Sequence, residues 1–157
     1  MTDSGTLADL LSAADYAQML RAAGIQPTKQ RLAIAQILLG RHSHCTADEI
    51  WRSARAVLPS LARATIYNSL PLFVQHGLLR VLHIDGDCTI YDSRIDQHSH
   101  IYHEDTGVLE DMPVARLRDT LQAQLPDHLQ LLDVDVIVRV RNRNDVALHA
   151  PDKTSTY

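Results

Sequence analysis

An α+β chain in two parts, helices first and strands after, is what the sequence predicts. Three observations carry that expectation. Apolar residues recur at helical spacing through the first half, the second half alternates apolar and polar residues at the strand period, and the charge changes sign between the two. Residues 1–82 carry a net +3 and residues 83–157 a net −7, within an overall −4. A basic part that can meet a polyanion is followed by an acidic part rich in metal-type ligands. The length of 157 residues suits one domain or two small ones. No apolar run approaches the roughly 18–20 residues of a membrane span, and the N-terminus lacks the basic and apolar regions of a signal peptide. No membrane partner and a cytoplasmic location are therefore expected. Cys45 and Cys88 are the two cysteines, too far apart in sequence for a disulfide framework or a Cys-x-x-Cys ribbon. Nine histidines with few aromatic residues raise metal or haem chemistry.

The first helix is expected over Ala14–Ala23, where Tyr16, Met19 and Leu20 share a face and Gly24 ends it. A second follows Pro27 from Thr28 to Leu39. The third has the clearest start. Thr46-Ala47-Asp48-Glu49 is a capping box, in which the threonine hydroxyl and the glutamate carboxylate each satisfy an orphan amide. A fourth helix, starting near Ser60 and ending at Gly77, places Ile66, Leu70, Phe73 and Val74 on its apolar side. Pro71 lacks the amide that would bond to Tyr67, so a kink or loosening is expected there. Leu78–Ile84 then changes to strand character, and Asp85-Gly86 is a preferred type I′ turn that returns the chain through Cys88 to Asp92.

Helices followed by a hairpin of this kind amount to a winged helix-turn-helix. Its fourth helix would enter the major groove of DNA. Arg63 and Asn68 have the donors and acceptors to read base edges, Thr65 and Tyr67 can meet phosphate or a thymine methyl, and Lys29 and Arg31 on the second helix suit backbone phosphates. The bland alternative for each residue is the solvated face of an amphipathic helix.

The second half is dense in imidazoles. In a strand His98 and His100 point to the same side, so His-x-His delivers two nitrogens to one place. Asp111 can return beside them if Val108–Met112 runs back antiparallel across the turn at Asp105-Thr106-Gly107. Pro113–Gln124 reads as a short helix, and Leu132–Arg141 as a strand with an apolar face of Val134, Val136, Val138 and Val140. One small sheet and one helix cover little core, which points to a second copy of the chain. The expected domains are 1–92, with 1–13 as an N-terminal extension, 93–141, and a disordered tail over 142–157.

From Tyr16 to Arg143 the sequence resembles the ferric uptake regulator family of metal-responsive bacterial repressors. The likeness rests on Gly24-Ile25-Gln26-Pro27-Thr28-Lys29-Gln30-Arg31, His44-Cys45-Thr46-Ala47-Asp48-Glu49-Ile50, Ala64-Thr65-Ile66-Tyr67-Asn68, Gly77-Leu78-Leu79 and His98-Ser99-His100, in that order. It implies a winged-helix DNA-binding domain followed by a small α/β dimerisation domain. It also implies a regulatory metal site at His44, Asp92, His98, His100 and Asp111. The intervals between these ligands look like those of the peroxide-sensing branch, whereas the scarcity of cysteines and the ending Asp133–Arg139 look more like the haem-linked iron-response branch. The structural-zinc cysteines of many members fall on His103 and Thr106, so no four-cysteine zinc is expected and His103 is an additional ligand candidate. The triple histidine associated with haem reads His98-Ser99-His100, and Cys45 precedes threonine rather than proline, which weighs against haem. A further metal site of some members would need ligands around Gln97, Ser99 and Arg118, where the arginine has the wrong charge.

Such a protein would take one divalent ion per protomer, Fe(II), Mn(II) or Zn(II), and bind a two-fold symmetric duplex operator as a homodimer or higher oligomer. The ion would join the two halves, since His44 belongs to the DNA-binding part. Two other readings remain: a haem-responsive iron regulator, and a small non-haem iron enzyme using two histidines and a carboxylate. The enzyme reading lacks a separate acid, base or nucleophile.

Overall fold

The computed structural model describes residues 11–84, 88–112, 117–132 and 134–142. The chain falls into two compact units, 1–95 and 96–157, a division three residues later than the one read from the sequence.

The first unit contains α1 (Ala13–Ala22), α2 (Lys29–Leu38), β1 (His44–Thr46), α3 (Ala47–Val57), α4 (Arg63–Gln75), β2 (Arg80–His83) and β3 (Thr89–Asp92). Local chemistry sets the helix starts. Ser12 and Asp15 form a capping box at α1, Thr28 accepts from the Arg31 amide at α2, and Thr46 with Glu49 closes the expected box at α3. The fourth helix begins later than expected. Ser60 does not cap it; Ala62 is the N-cap and offers no side-chain bond. The helix runs unbroken through Pro71 to Gln75, where a kink or loosening was expected. Pro71 and Tyr67 are both exposed, so the carbonyl that loses its amide partner lies on the solvent side, where water can satisfy it. Gly77, at φ +71°, ends the helix in a conformation that a side chain would strain.

Tyr16, Leu20, Ile34, Leu38, Ile50, Ile66, Leu70 and Phe73 meet in one core, to which each of the four helices contributes. Val74, expected with them, is only half-buried. The strands add an antiparallel sheet in the order β1-β3-β2. β1 is a three-residue strand just before the capping box, and the sequence reading does not contain it. The type I′ turn expected at Asp85-Gly86 lies outside the described residues.

The second unit holds β4 (Ser99–His103), β5 (Leu109–Met112), α5 (Leu117–Gln122) and β6 (Ile137–Val140), with sheet order β5-β4-β6. β5 returns antiparallel to β4, whereas β6 lies parallel to β4 after the longer connection that a parallel neighbour requires. Gly107, at φ +69°, makes the tight β4–β5 return and donates its amide to the His103 carbonyl at 2.7 Å. Regular pairing in the last strand covers 137–140 rather than 132–141, although the Val136 carbonyl accepts from the His100 amide at 3.0 Å. The expected helix over 113–124 is described only as α5, and residues 113–116 lie outside the described residues. So do residues 143–157, where a tail was expected.

The units differ sharply in what they bury. Among the second-unit residues whose side chains are described, only His98, Ser99 and His100 are buried, and the apolar ones are not. Val138 is 37% exposed and Leu132 81%. A sheet whose interior is imidazole rather than hydrocarbon has little hydrophobic stabilisation of its own.

Candidate metal centre and nucleic-acid face

In the first unit β1 and β3 set His44 directly opposite Asp92, with Nε2 and Oδ1 3.7 Å apart. Two serines fasten this strand end. The Ser43 amide donates to Ser93 Oγ at 3.0 Å, the Ser93 amide donates to the Ser43 carbonyl at 3.2 Å, and Ser93 Oγ donates to the Arg41 carbonyl at 2.9 Å. Asp92 is fully buried, and its Oδ1 accepts from the Arg94 amide at 2.8 Å. An imidazole and a carboxylate are thereby held face to face by residues 48 positions apart in sequence. Neither Ser43 nor Ser93 carries a sequence signal for this role, because it depends on strand register.

In the second unit β4 presents His100 opposite Asp111 on β5, as the return-strand reading expects. His98 stands two residues earlier on the same side. Its Nε2 is 3.3 Å from Asp111 Oδ1, and His100 Nε2 is 3.8 Å from the same oxygen. The two imidazoles lie edge to face with centroids 4.5 Å apart. The His98 Nδ1 is 2.8 Å from the Asp96 carbonyl, which can only accept, so Nδ1 carries the proton. In the neutral tautomer this leaves, the Nε2 lone pair faces a carboxylate oxygen. Two electron-rich atoms at that separation call for a cation between them, either a proton or a metal ion. A ligating imidazole whose other nitrogen donates to a backbone carbonyl has the orientation usual at metal centres. The donor set of nitrogen and carboxylate oxygen suits a divalent first-row ion.

His103 does not join this group. Strand alternation puts it, with Ile101, on the other face of β4 from His98 and His100, and its Nε2 lies 3.5 Å from Glu110. Arg118 donates to the Gln97 side chain at 3.3 Å and to the Leu131 carbonyl at 2.8 Å, placing a positive charge at the position where the further metal site considered from the sequence would need a ligand. Cys45 adjoins His44, and burial pushes its thiol above the ordinary 9.0, which disfavours a ligating thiolate.

The candidate DNA contacts divide between α2 and α4. Lys29 is exposed in the first turn of α2, where the helix dipole disfavours a cation, so helix stability does not account for it. Arg31 is partly committed, donating to the Gln26 carbonyl at 3.0 Å. On α4, Tyr67 is 51% exposed. Arg63 and Asn68 are exposed and Thr65 is half-buried. Arg63 is held by a carboxylate that the sequence reading assigns only to the capping segment: its Nε donates to Asp48 Oδ1 at 3.0 Å and its Nη2 reaches both carboxylate oxygens. Tyr67 donates to the same Asp48 oxygen at 3.3 Å. The Arg63 hydrogen bond is the chief reason that the Asp48 carboxyl sits below its ordinary 3.8. A carboxyl with a lowered folded value contributes stability above its unfolded value and loses it as pH falls through the folded one, so this pair persists at neutral pH.

Comparison with known proteins agrees with this architecture. The family model described as the ferric uptake regulator family matches residues 22–139. The peroxide-responsive repressor PerR of Staphylococcus epidermidis is 36% identical over 115 residues, covering 73% of this chain and 75% of that protein. Among solved structures, the ferric uptake regulator of Pseudomonas aeruginosa with manganese is similar with a TM-score of 0.68 at 23% identity, covering 82% of this chain and 98% of that one. The Helicobacter pylori ferric uptake regulator, described as having three functional metal binding sites, is similar with a TM-score of 0.69 at 17% identity, covering 90% and 97%. These two likenesses establish the shared fold, an N-terminal winged helix followed by an α/β domain. The family match and the identity to the curated repressor establish more than fold: this chain belongs to the ferric uptake regulator family of metal-responsive transcriptional regulators, and is not an enzyme.

Proposed function

We propose that this regulator reads the supply of a divalent first-row metal and controls the genes of iron or other metal homeostasis, with His44 and Asp92 from the first unit and His98, His100 and Asp111 from the second sharing one ion per protomer. The observation that carries this reading is the second-unit cluster, in which the Asp96 carbonyl fixes the His98 tautomer and aims Nε2 at Asp111. Only five residues separate Asp92 from His98, so the chain keeps both ligand groups within about 20 Å even when fully extended. When bound, the ion supplies two positive charges against two carboxylates and a link between residues of different units. The serine-fastened β1–β3 end would hold His44 and Asp92 as one partner in that link, and the β4–β5 register, with His98 just before β4, would hold the other three ligands as the second. No helix among the described residues is long and apolar enough to cross a membrane, and the protein is read as acting in the cytoplasm.

On the DNA side, a homodimer is proposed to present two copies of α4 to a two-fold symmetric duplex. Arg63, Tyr67 and Asn68 would read base edges and methyl groups, Thr65 would assist, and Lys29 with Arg31 would meet phosphate. Asn68→Ala should weaken binding to a selected operator by about 1–3 kcal/mol, whereas Lys29→Ala should weaken all duplexes alike and reduce the salt slope. Unchanged operator affinity for Asn68→Ala would remove α4 from the groove.

A gel shift with and without Fe(II), Mn(II) and Zn(II) tests the metal reading. One of these ions should raise operator affinity strongly; equal binding with and without each ion would overturn it. A strong Soret band on haem titration would instead favour the haem-responsive alternative. The imidazoles must be deprotonated to ligate, so metal affinity should fall as pH is lowered below neutral, to be followed by equilibrium dialysis across that range. A pH-independent affinity would exclude histidine ligation.

A further inference from the structure

An acidic side chain in the middle of a surface that meets phosphate calls for a physical reason. Asp48 is such a residue, and helix capping does not supply the reason: Thr46 and Glu49 already close the capping box of α3 between themselves. Its carboxylate is spent instead on α4. Arg63 donates to it through Nε and Nη2, and Tyr67, one turn further along the same helix, donates to it as well. The Arg63 guanidinium is also gripped from another side, lying 5.6 Å from the centre of the Trp51 ring. Trp51 is itself pinned by its Nε1 hydrogen bond to the Leu61 carbonyl at 3.1 Å.

This arrangement leaves Arg63 usable but restricted. Its side chain remains 53% exposed. The Nε/Nη2 edge is occupied, and the remaining Nη1 and Nη2 hydrogens form the end-on edge, which is the fork that matches a pair of acceptors on a guanine. A guanidinium fixed in this way spends little entropy on a correctly placed base edge. It is also partly neutralised, so it gains little from an arbitrary phosphate, which any sequence supplies. A mobile unpaired arginine at the same place would do the reverse.

We propose that Asp48 is a specificity-determining residue of the DNA face, buttressing Arg63 and Tyr67 for base-edge reading while withholding Arg63 from phosphate in random sequence. The inference rests on the reading of α4 as the DNA-contacting helix, and the test separates the two.

The full-length, metal-loaded protein is titrated, over a range of salt concentrations, against two duplexes of equal length: one selected by the wild-type protein from a randomised pool, and one of scrambled sequence. Asp48→Asn should bind the scrambled duplex about tenfold more tightly, with a salt slope steeper by about 0.9 for each protomer engaged. Its preference for the selected duplex should fall at least about tenfold. In an Arg63→Gln background the same substitution should cost much less of that preference, because only the Tyr67 hydrogen bond to Asp48 is then lost. Asp48→Ser, which keeps a residue tolerated in a first helical turn, serves as the second variant should Asp48→Asn unfold. Undiminished preference in the folded variant, or an equal loss in both backgrounds, would overturn the proposal. Asn68→Ala is run alongside: no effect of Asn68→Ala on the selected duplex refutes the α4 reading itself, whereas a loss there with undiminished preference in Asp48→Asn refutes the buttress alone.

Discussion

Replacing Val138 with aspartate is expected to convert the protein to monomers at micromolar concentration and to remove most of its operator binding. The second unit buries no apolar side chain among its described residues, and Val138 on β6 stands 37% exposed between half-buried Val136 and Val140. Burying a valine is worth about 1.5–2 kcal/mol, and a two-fold interface places the substitution in it twice. Val138 is already partly buried in the protomer, so the lost transfer energy is about 1 kcal/mol for the two copies, and the larger cost, about 3 kcal/mol or more, is that of desolvating two carboxylates in the interface. A weakening of dimerisation by about a thousandfold or more follows. DNA affinity should fall with it, because two half-site contacts joined in one particle act at an effective concentration of about a millimolar, an advantage that separate monomers lose. Sedimentation of the variant beside the parent protein measures the first effect and titration with the operator the second. A variant that remains dimeric would place the interface elsewhere. A variant that dissociates yet keeps its operator affinity would sever dimerisation from DNA recognition.

The parts of this structure legible in the sequence are those written in short-range chemistry. The Thr46-x-x-Glu49 box marks the start of α3, the spacing of Ile66, Leu70 and Phe73 marks the buried side of α4, and His-x-His marks two imidazoles that approach one carboxylate oxygen. What remained illegible depends on register between distant segments. Nothing near His44 announces the three-residue β1, because its existence rests on pairing with Thr89–Asp92. The same pairing brings in Ser43 and Ser93. The sequence reading returns Asp111 beside His98 and His100 and keeps His103 as an additional candidate, and the position of β5 shows that His103 meets Glu110 while His100 meets Asp111. The valine-rich segment promised a strand but not that it would lie parallel to β4. On the face proposed to meet DNA, Arg63 and Asp48 are fifteen residues apart on different helices, and packing of α3 against α4 alone makes them partners. A composition-based reading counts Asp48 against DNA binding. Its pairing with Arg63 and Tyr67 is what the proposed specificity role rests on.

Ligand substitutions should divide according to the unit they come from. His100→Ala is expected to reduce metal affinity by about a hundredfold or more and to abolish metal-dependent DNA binding with it. His100 is buried to 1% exposure and faces Asp111 in the β4–β5 register, while His98, just before β4, approaches the same Asp111 oxygen, so three donors converge within the second unit. His44→Ala should behave differently. The three second-unit donors and Asp92 remain, so metal binding should persist with a weaker but measurable affinity, while most of the response of DNA affinity to metal should be lost because the first unit keeps only Asp92 as its donor to the link. The coupling is reciprocal by linkage: if metal strengthens operator binding in the parent protein, operator must strengthen metal binding by the same factor, and both factors should approach one in His44→Ala. The measurement is a metal titration of each variant with and without operator, paired with an operator titration with and without saturating metal. Full metal-dependent DNA binding in His44→Ala would mean that the ion acts within the second unit alone, through the dimer. Loss of all metal binding in His44→Ala would mean instead that His98, His100 and Asp111 form no site of their own, and that the two units assemble the centre jointly from the start.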